Sequence, residues 1–313
     1  MRRSIPASIL AFALAFALMA ASAAQAQGLT KIAENVYSYV GVKNDAPSHS
    51  YAANAGIVIG SDGVLVIDTL ASAKEGKRLL KDIRAVTKKP IKYVVTTHGH
   101  FDHALGACVF TDLGATLVGH ELDREYLAKR GEGLLKKPQM VGLTPADLAG
   151  TRIKLPTLTF TERMTIRLGT KANETVELIH LTPSHTAGST LVYLPQQKVV
   201  FAGDVLFTDF HPFMGEGDIP GWVKTLDFIQ DMDTTAIIPG HGPLSTKKDV
   251  ADMRDYIQLF DAKAKELAAA GVNGGAKDPA SLAAELKKLL PARSQGQGMV
   301  QYNFMIKYLP AKN

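Results

Sequence analysis

The densest group of metal-binding side chains constrains this chain more than any other feature of its sequence. Residues 97–103 read Thr-His-Gly-His-Phe-Asp-His, so three imidazoles and one carboxylate fall within six positions. The preceding run, 91–97, is rich in β-branched residues and is typical of a buried strand. A loop at the end of such a strand is rigidly held yet open to solvent, which suits a set of metal ligands. The sequence therefore predicts a metal site here.

The spacing of these side chains indicates how they divide between ions. Alternate residues of an extended chain point to the same side, so His98 and His100 can bind one ion. The chain then turns into a predicted helix, where Asp102 and His103 can face a second ion beside the first. Imidazole together with carboxylate favours zinc, with iron or manganese as alternatives. Three surface histidines without a metal are the alternative interpretation, which the density of the cluster and the relief of crowding by Gly99 disfavour.

Three further candidate ligands, His185, Asp204 and His241, lie later in the chain at the ends of apolar runs. Asp204 closes the uncharged run 199–203, where a carboxylate is costly to bury unless it is paired or metal-bound. A core aspartate and two capping histidines are the alternative interpretation, which the earlier cluster disfavours. His211 follows Asp204 in an aromatic loop and is a candidate for substrate contact.

Five segments of the sequence resemble, in order, the motifs of the metallo-β-lactamase superfamily. They are 66–69, 98–103, 181–189, 201–204 and 238–242. The resemblance implies that Asp68, in the first motif, is structural. It implies two zinc ions per chain with seven ligands: His98, His100 and His185 on the first ion, Asp102, His103 and His241 on the second, and Asp204 bridging both.

The same resemblance implies a reaction. It predicts a dinuclear zinc hydrolase in which a metal-bridging hydroxide attacks an ester-, thioester-, lactone- or lactam-type bond, with Asp102 orienting the metal-bound water. Two alternatives stay open: a mononuclear iron oxidoreductase resembling persulfide dioxygenase, and a β-lactamase proper. Many β-lactamases of the superfamily have cysteine or serine where this chain has Asp204, which disfavours the second. Overall the chain looks most like the exported SoxH-like and quinoprotein-associated zinc hydrolases.

The order of predicted elements indicates the fold. Strands occur in two groups, each accompanied by helices, which predicts an α/β protein of the αββα sandwich type. In such a fold two mixed β-sheets pack face to face and helices cover both outer faces. A charged helix is predicted over 121–130, with a long surface connection after it. We expect one domain over 27–313 with a helical C-terminal extension from about residue 247.

The N-terminal residues, 1–26, read as a signal peptide. Arg2 and Arg3 precede the apolar run 9–21, and Ala24-Gln25-Ala26 supplies a cleavage site. A membrane anchor is the alternative, but the run is short for a span. We therefore expect a periplasmic or secreted protein without a stable anchor.

The composition limits the possible partners. The formal net charge of +5 is dispersed along the chain, which argues against nucleic acid and leaves a small-molecule substrate as the expected partner. A single cysteine, Cys108, excludes an internal disulfide bond. The sequence does not indicate an oligomeric state.

Overall fold

A computed structural model describes residues 28–274 and 278–309; the predicted signal peptide lies outside the described residues. Within them the strands form two sheets. The first sheet contains, in spatial order, β1 (Thr30–Ala33), β2 (Val36–Ser38), β3 (Gly56–Ile59), β4 (Val64–Ile67), β5 (Ile91–Val95), β6 (Thr116–His120) and β7 (Leu158–Phe160). The second contains β8 (Arg163–Arg167), β9 (Thr175–Ile179), β10 (Leu191–Leu194), β11 (Val199–Phe207) and β12 (Ala236–His241).

Both sheets are mixed and they face each other. Strands β1 to β4 pair antiparallel and β4 to β7 pair parallel, while in the second sheet only the β11–β12 pair is parallel. Leu65 and Ile67 of the first sheet share one buried apolar cluster with Leu178 and Val192 of the second. Alternate residues of each strand point to opposite faces, so the other faces of both sheets need separate cover.

Helices supply that cover. They are α1 (Ala73–Val86), α2 (Phe101–Ala104), α3 (Ala107–Thr111), α4 (Glu121–Lys136), α5 (Ile219–Asp231), α6 (Lys247–Gly274), α7 (Pro279–Leu289) and α8 (Met299–Asn303), with a π-helical turn at Phe304–Tyr308 and short 3-10 turns at Pro47–Ala52, Pro138–Val141 and Ala172–Glu174. Leu79 of α1 and Phe110 of α3 pack on the outer face of the first sheet. Trp222 of α5 and Phe260 of α6 pack on the outer face of the second. The predicted αββα sandwich is confirmed.

The helices after residue 247 pack on the second sheet. Val250 and Met253 of α6 and Leu286 of α7 belong to the same buried cluster as Val205 of β11. The predicted helical extension thus contributes to the outer layer of the sandwich. None of the helices within 28–274 and 278–309 is both long enough and apolar enough to cross a lipid bilayer.

Candidate metal centre

All seven predicted metal ligands meet at one edge of the sandwich. His98 and His100 follow β5, His185 lies between β9 and β10, and β12 ends at His241. Their side chains form two groups, and within each group one ligand atom per residue lies within 4.8 Å of the others. The first group is His98, His100, His185 and Asp204, and the second is Asp102, His103 and His241. Their ligation of metal stays a prediction.

Asp204 spans the two groups with its two carboxylate oxygens. Its Oδ2 lies 3.7 Å from Nε2 of His98 and 3.3 Å from Nε2 of His185. Its Oδ1 lies 3.1 Å from Nε2 of His103 and 3.4 Å from Nε2 of His241. Oδ1 is buried and accepts no hydrogen bond from the described residues. A carboxylate with one oxygen in each group has the arrangement needed to bridge two ions.

The imidazole nitrogens in each group converge on one another. Nδ1 of His100 lies 3.1 Å from Nε2 of His98 and 2.9 Å from Nε2 of His185. In the second group, Nε2 of His103 and Nε2 of His241 are 3.3 Å apart. Three neutral rings that meet at one point cannot satisfy all their inward lone pairs by hydrogen bonds among themselves, whereas a cation can bind every one.

The outward nitrogens of His103 and His241 are held by acceptors that set the tautomer. Nδ1 of His103 donates to Oδ2 of Asp68 at 2.9 Å, and Nδ1 of His241 donates to the backbone oxygen of Tyr51 at 2.9 Å. Asp68 also accepts from Thr97, through the backbone N–H at 2.7 Å and the hydroxyl at 2.8 Å. In its neutral form each of these two rings keeps its proton on the outer nitrogen and turns a lone pair inward, as in metal sites whose histidines are oriented by hydrogen-bonded partners.

The electrostatics of the two groups differ. Burial lowers the pKa of His185 to about 3 and holds the pKa of His98 well below its usual range, so both rings are neutral at pH 7. Burial also lowers the pKa of His103 and of His241, but Asp204 and other carboxylates outweigh it. The pKa of His103 is therefore well above its ordinary value, and that of His241 is raised to about 9. The second group attracts positive charge, which a divalent metal can supply, and the donor set fits such ions.

A family model decides the family. The model described as the metallo-beta-lactamase superfamily matches residues 51–241, which is more than half of the chain and includes every candidate ligand. The chain belongs to the metallo-beta-lactamase superfamily. The resemblance of the five sequence motifs is thereby confirmed, and the fold of solved relatives agrees with it.

Two curated relatives and one solved structure illustrate the breadth of the superfamily. The 2,4-dinitroanisole O-demethylase subunit alpha of Nocardioides sp. (strain JS1661) is 26% identical over 66% of this chain and 56% of the relative, so the chain spans about half of that protein. The metallo-beta-lactamase type 2 of Elizabethkingia meningoseptica is 24% identical over 76% of this chain and 87% of the enzyme. A metallo-beta-lactamase from Pontibacter korlensis has the same fold, with a TM-score of 0.59, 23% identity, and 74% of this chain and 98% of that one covered.

His211, the predicted substrate contact, lies apart from the two ligand groups. It is 2% exposed, and its Nδ1 forms a 2.7 Å hydrogen bond with the hydroxyl of Tyr256 in α6. Burial lowers the pKa of His211 to about 4. These contacts join the loop after β11 to α6, and burial leaves little surface for a substrate. Substrate contact by His211 stays a prediction that its burial disfavours.

Glu216 belongs to the site, although no pattern in the sequence indicates it. Its Oε2 accepts from Nε2 of His100 at 3.2 Å, and its Oε1 accepts from Nη1 of Arg130 in α4 at 2.6 Å. Glu216 is therefore the outer partner that turns Nδ1 of His100 inward. It lies 116 residues from His100, in a loop between two glycines that matches no superfamily motif.

We expect Glu216→Ala to weaken binding of the first metal ion about 10- to 100-fold, the range seen when an outer partner of a metal-binding histidine is lost. Competition between the protein and a fluorescent zinc chelator measures this affinity. Glu125→Ala is the matched control, because it replaces another exposed glutamate, on α4. This variant should bind zinc as the wild type does. Equal zinc affinities in Glu216→Ala and wild type would contradict a positioning role.

Proposed function

We propose that this protein is a zinc-dependent hydrolase that holds two metal ions and cleaves an ester-, thioester-, lactone- or lactam-type bond in a small-molecule substrate. The observation that carries the proposal is the position of Asp204, with one oxygen directed to each ligand group. Five imidazoles and two carboxylates favour zinc over the harder cations, which take mostly oxygen ligands.

When bound, zinc lowers the pKa of water to about 7 and polarises a carbonyl oxygen. The side chains of the protein position the reacting groups and supply the charge around them. Asp102 Oδ2 lies 3.3 Å from Nε2 of His241, and this carboxylate can accept a hydrogen bond from the attacking water and so orient it. Asp68 and Glu216 fix the rings of His103 and His100, so the site needs little reorganisation during the reaction.

Two features bear on the choice of substrate. The relatives named as a 2,4-dinitroanisole O-demethylase subunit and a metallo-beta-lactamase differ in their named activities and do not select one bond type for this chain. Asp204 stands where many β-lactamases of the superfamily have cysteine or serine, so we propose that lactam opening is a side activity. We further propose that the protein works after export, in the periplasm or outside the cell.

A hydrolysis screen with and without chelator tests the proposal. The zinc-loaded protein should cleave at least one of an ester, a thioester, a lactone and a β-lactam, with phosphodiester and sulfate ester as further arms. EDTA should abolish the activity, and zinc should restore it, because the ligands alone supply no nucleophile. Loss of all hydrolysis combined with iron-dependent oxygen consumption on a persulfide would instead favour the iron oxidoreductase.

A further inference from the structure

Aromatic rings lead outward from the ligand groups to the protein surface. Phe213, in the loop between β11 and α5, has its ring centroid 5.4 Å from that of His100 and 6.0 Å from that of His185. Tyr302 of α8 lies next along this line, with its ring 6.0 Å from Phe213. A substrate that approaches His100 from this side therefore passes two aromatic rings.

The outer end of this line is apolar and open to solvent. Tyr302 is 49% exposed, and Met305 and Ile306, which follow it in the chain, are 46% and 48% exposed. Ile306 packs beside Phe213 over Gly215, where a Cβ atom would come within 2.4 Å of Ile306 and 2.6 Å of Phe213. Exposed apolar side chains that cluster beside a functional site are typical of a binding surface.

Two further aromatic rings lie beside the second ligand group. Tyr51 contacts Phe101 edge-to-face, with ring centroids 5.7 Å apart, and its backbone oxygen holds His241. The hydroxyl of Tyr51 donates to the backbone oxygen of Val141 at 3.0 Å, so the ring is held in place beside the second ligand group.

The cationic side chains at this entrance already have partners. Arg130 donates to Glu216 at 2.6 Å, and Nζ of Lys307 donates to the backbone oxygen of Gly217 at 2.6 Å. Because Glu216 offsets the charge of Arg130, an anionic group on a substrate would gain little net attraction from this guanidinium. The surface therefore suits an uncharged group that stacks on rings.

We propose that Phe213, Tyr302 and Ile306, called here the aromatic entrance, bind an uncharged aryl group beside the scissile bond of the substrate. This inference rests on the proposed hydrolase function and narrows its substrate class. It makes Tyr302 a specificity residue contributed by the C-terminal helices.

A matched pair of substrates tests how much the aryl group contributes to kcat/KM. Benzyl acetate and ethyl acetate, or the corresponding thioesters, share their acyl group, and the benzyl leaving group has a phenyl ring where the ethyl group has a methyl. Zinc-loaded wild type should prefer the benzyl compound by about tenfold in kcat/KM, since a stacked ring contributes on the order of one factor of ten. 4-Carboxybenzyl acetate should react more slowly than benzyl acetate, and a faster reaction would overturn the assignment to an uncharged group.

Single substitutions then test whether Tyr302 causes the preference for the benzyl substrate. Tyr302→Ala should lose most of the benzyl preference, mainly through a higher KM, while Tyr302→Phe should keep it because the ring remains. Leu289→Ala is the matched control, because Leu289 of α7 is 49% exposed, as Tyr302 is. This variant should behave as wild type. A folded Tyr302→Ala protein with full zinc content and an unchanged preference would overturn the inference.

Binding of benzyl alcohol, followed by saturation-transfer NMR, separates this inference from the proposed function. If no substrate is hydrolysed yet benzyl alcohol binds wild type and not Tyr302→Ala, the aromatic entrance stands and the hydrolase proposal fails. If substrates are hydrolysed while benzyl alcohol binds both proteins equally, the hydrolase proposal stands and the aromatic entrance fails.

Discussion

Asp204→Ala should lose at least one of two bound metal ions and lower kcat by more than about 100-fold, while the protein stays folded. Loss of a mere outer partner of a metal ligand lowers activity about 10- to 100-fold, so loss of a shared ligand should exceed that range. The physical reason is that Asp204 places one carboxylate oxygen close to each group, Oδ2 to the first and Oδ1 to the second. Zinc content, kcat and the thermal midpoint measure the three parts of the prediction.

The control for this experiment is another buried carboxylate. Glu174 is 5% exposed, as Asp204 is, and lies between β8 and β9. It accepts hydrogen bonds from the backbone N–H and the hydroxyl of Ser61, in the turn between β3 and β4. Glu174→Ala should lower the thermal midpoint and leave zinc content and kcat intact. An Asp204→Ala protein that kept two zinc ions and near-normal turnover would remove the basis for a bridging role.

Asp68→Ala should show the opposite balance, with a large loss of stability and a smaller, indirect loss of metal. Its carboxylate accepts from Thr97 twice and from Nδ1 of His103, and all three groups are buried. Removal of one partner from a buried charged pair lowers the free energy of unfolding by about 3–5 kcal/mol. Urea unfolding of the zinc-free protein measures this loss without a contribution from bound metal.

Asp68→Asn is the conservative comparison. Asp68 has a φ of 58°, a left-handed conformation that asparagine tolerates better than alanine does. The amide oxygen can still accept from Thr97 or His103, so the asparagine variant should lie between wild type and Asp68→Ala in stability. A zinc-free Asp68→Ala protein as stable as wild type would show that the aspartate does not hold this part of the fold.

The site was predictable because its ligands fall in short local motifs. The cluster after β5 and the histidine that ends β12 are local patterns, and the structure brings them together as the motif order implies. Glu216 and the backbone oxygen of Tyr51 were not predictable in this way. They reach His100 and His241 across 116 and 190 residues, through packing that no local pattern records.

The ends of two secondary-structure elements were likewise not predictable from local sequence. The helix predicted over 121–130 runs on to Lys136, although glycines at 131 and 133 disfavour helix. Tertiary packing overrides propensity here, since Gly131 lies against Ile153, which a Cβ atom would approach to 2.9 Å. Strand β11 likewise continues past Asp204 to Phe207, because it pairs in parallel with β12 as far as His241.

The most direct test of the account is the metal content of the wild-type protein purified without added metal or chelator. Elemental analysis should find about two zinc ions per chain, because each group has the donors to hold one ion and Asp204 has an oxygen close to both groups. Zinc titration of the chelated protein should reach the same count. One iron and no zinc per chain would contradict the account.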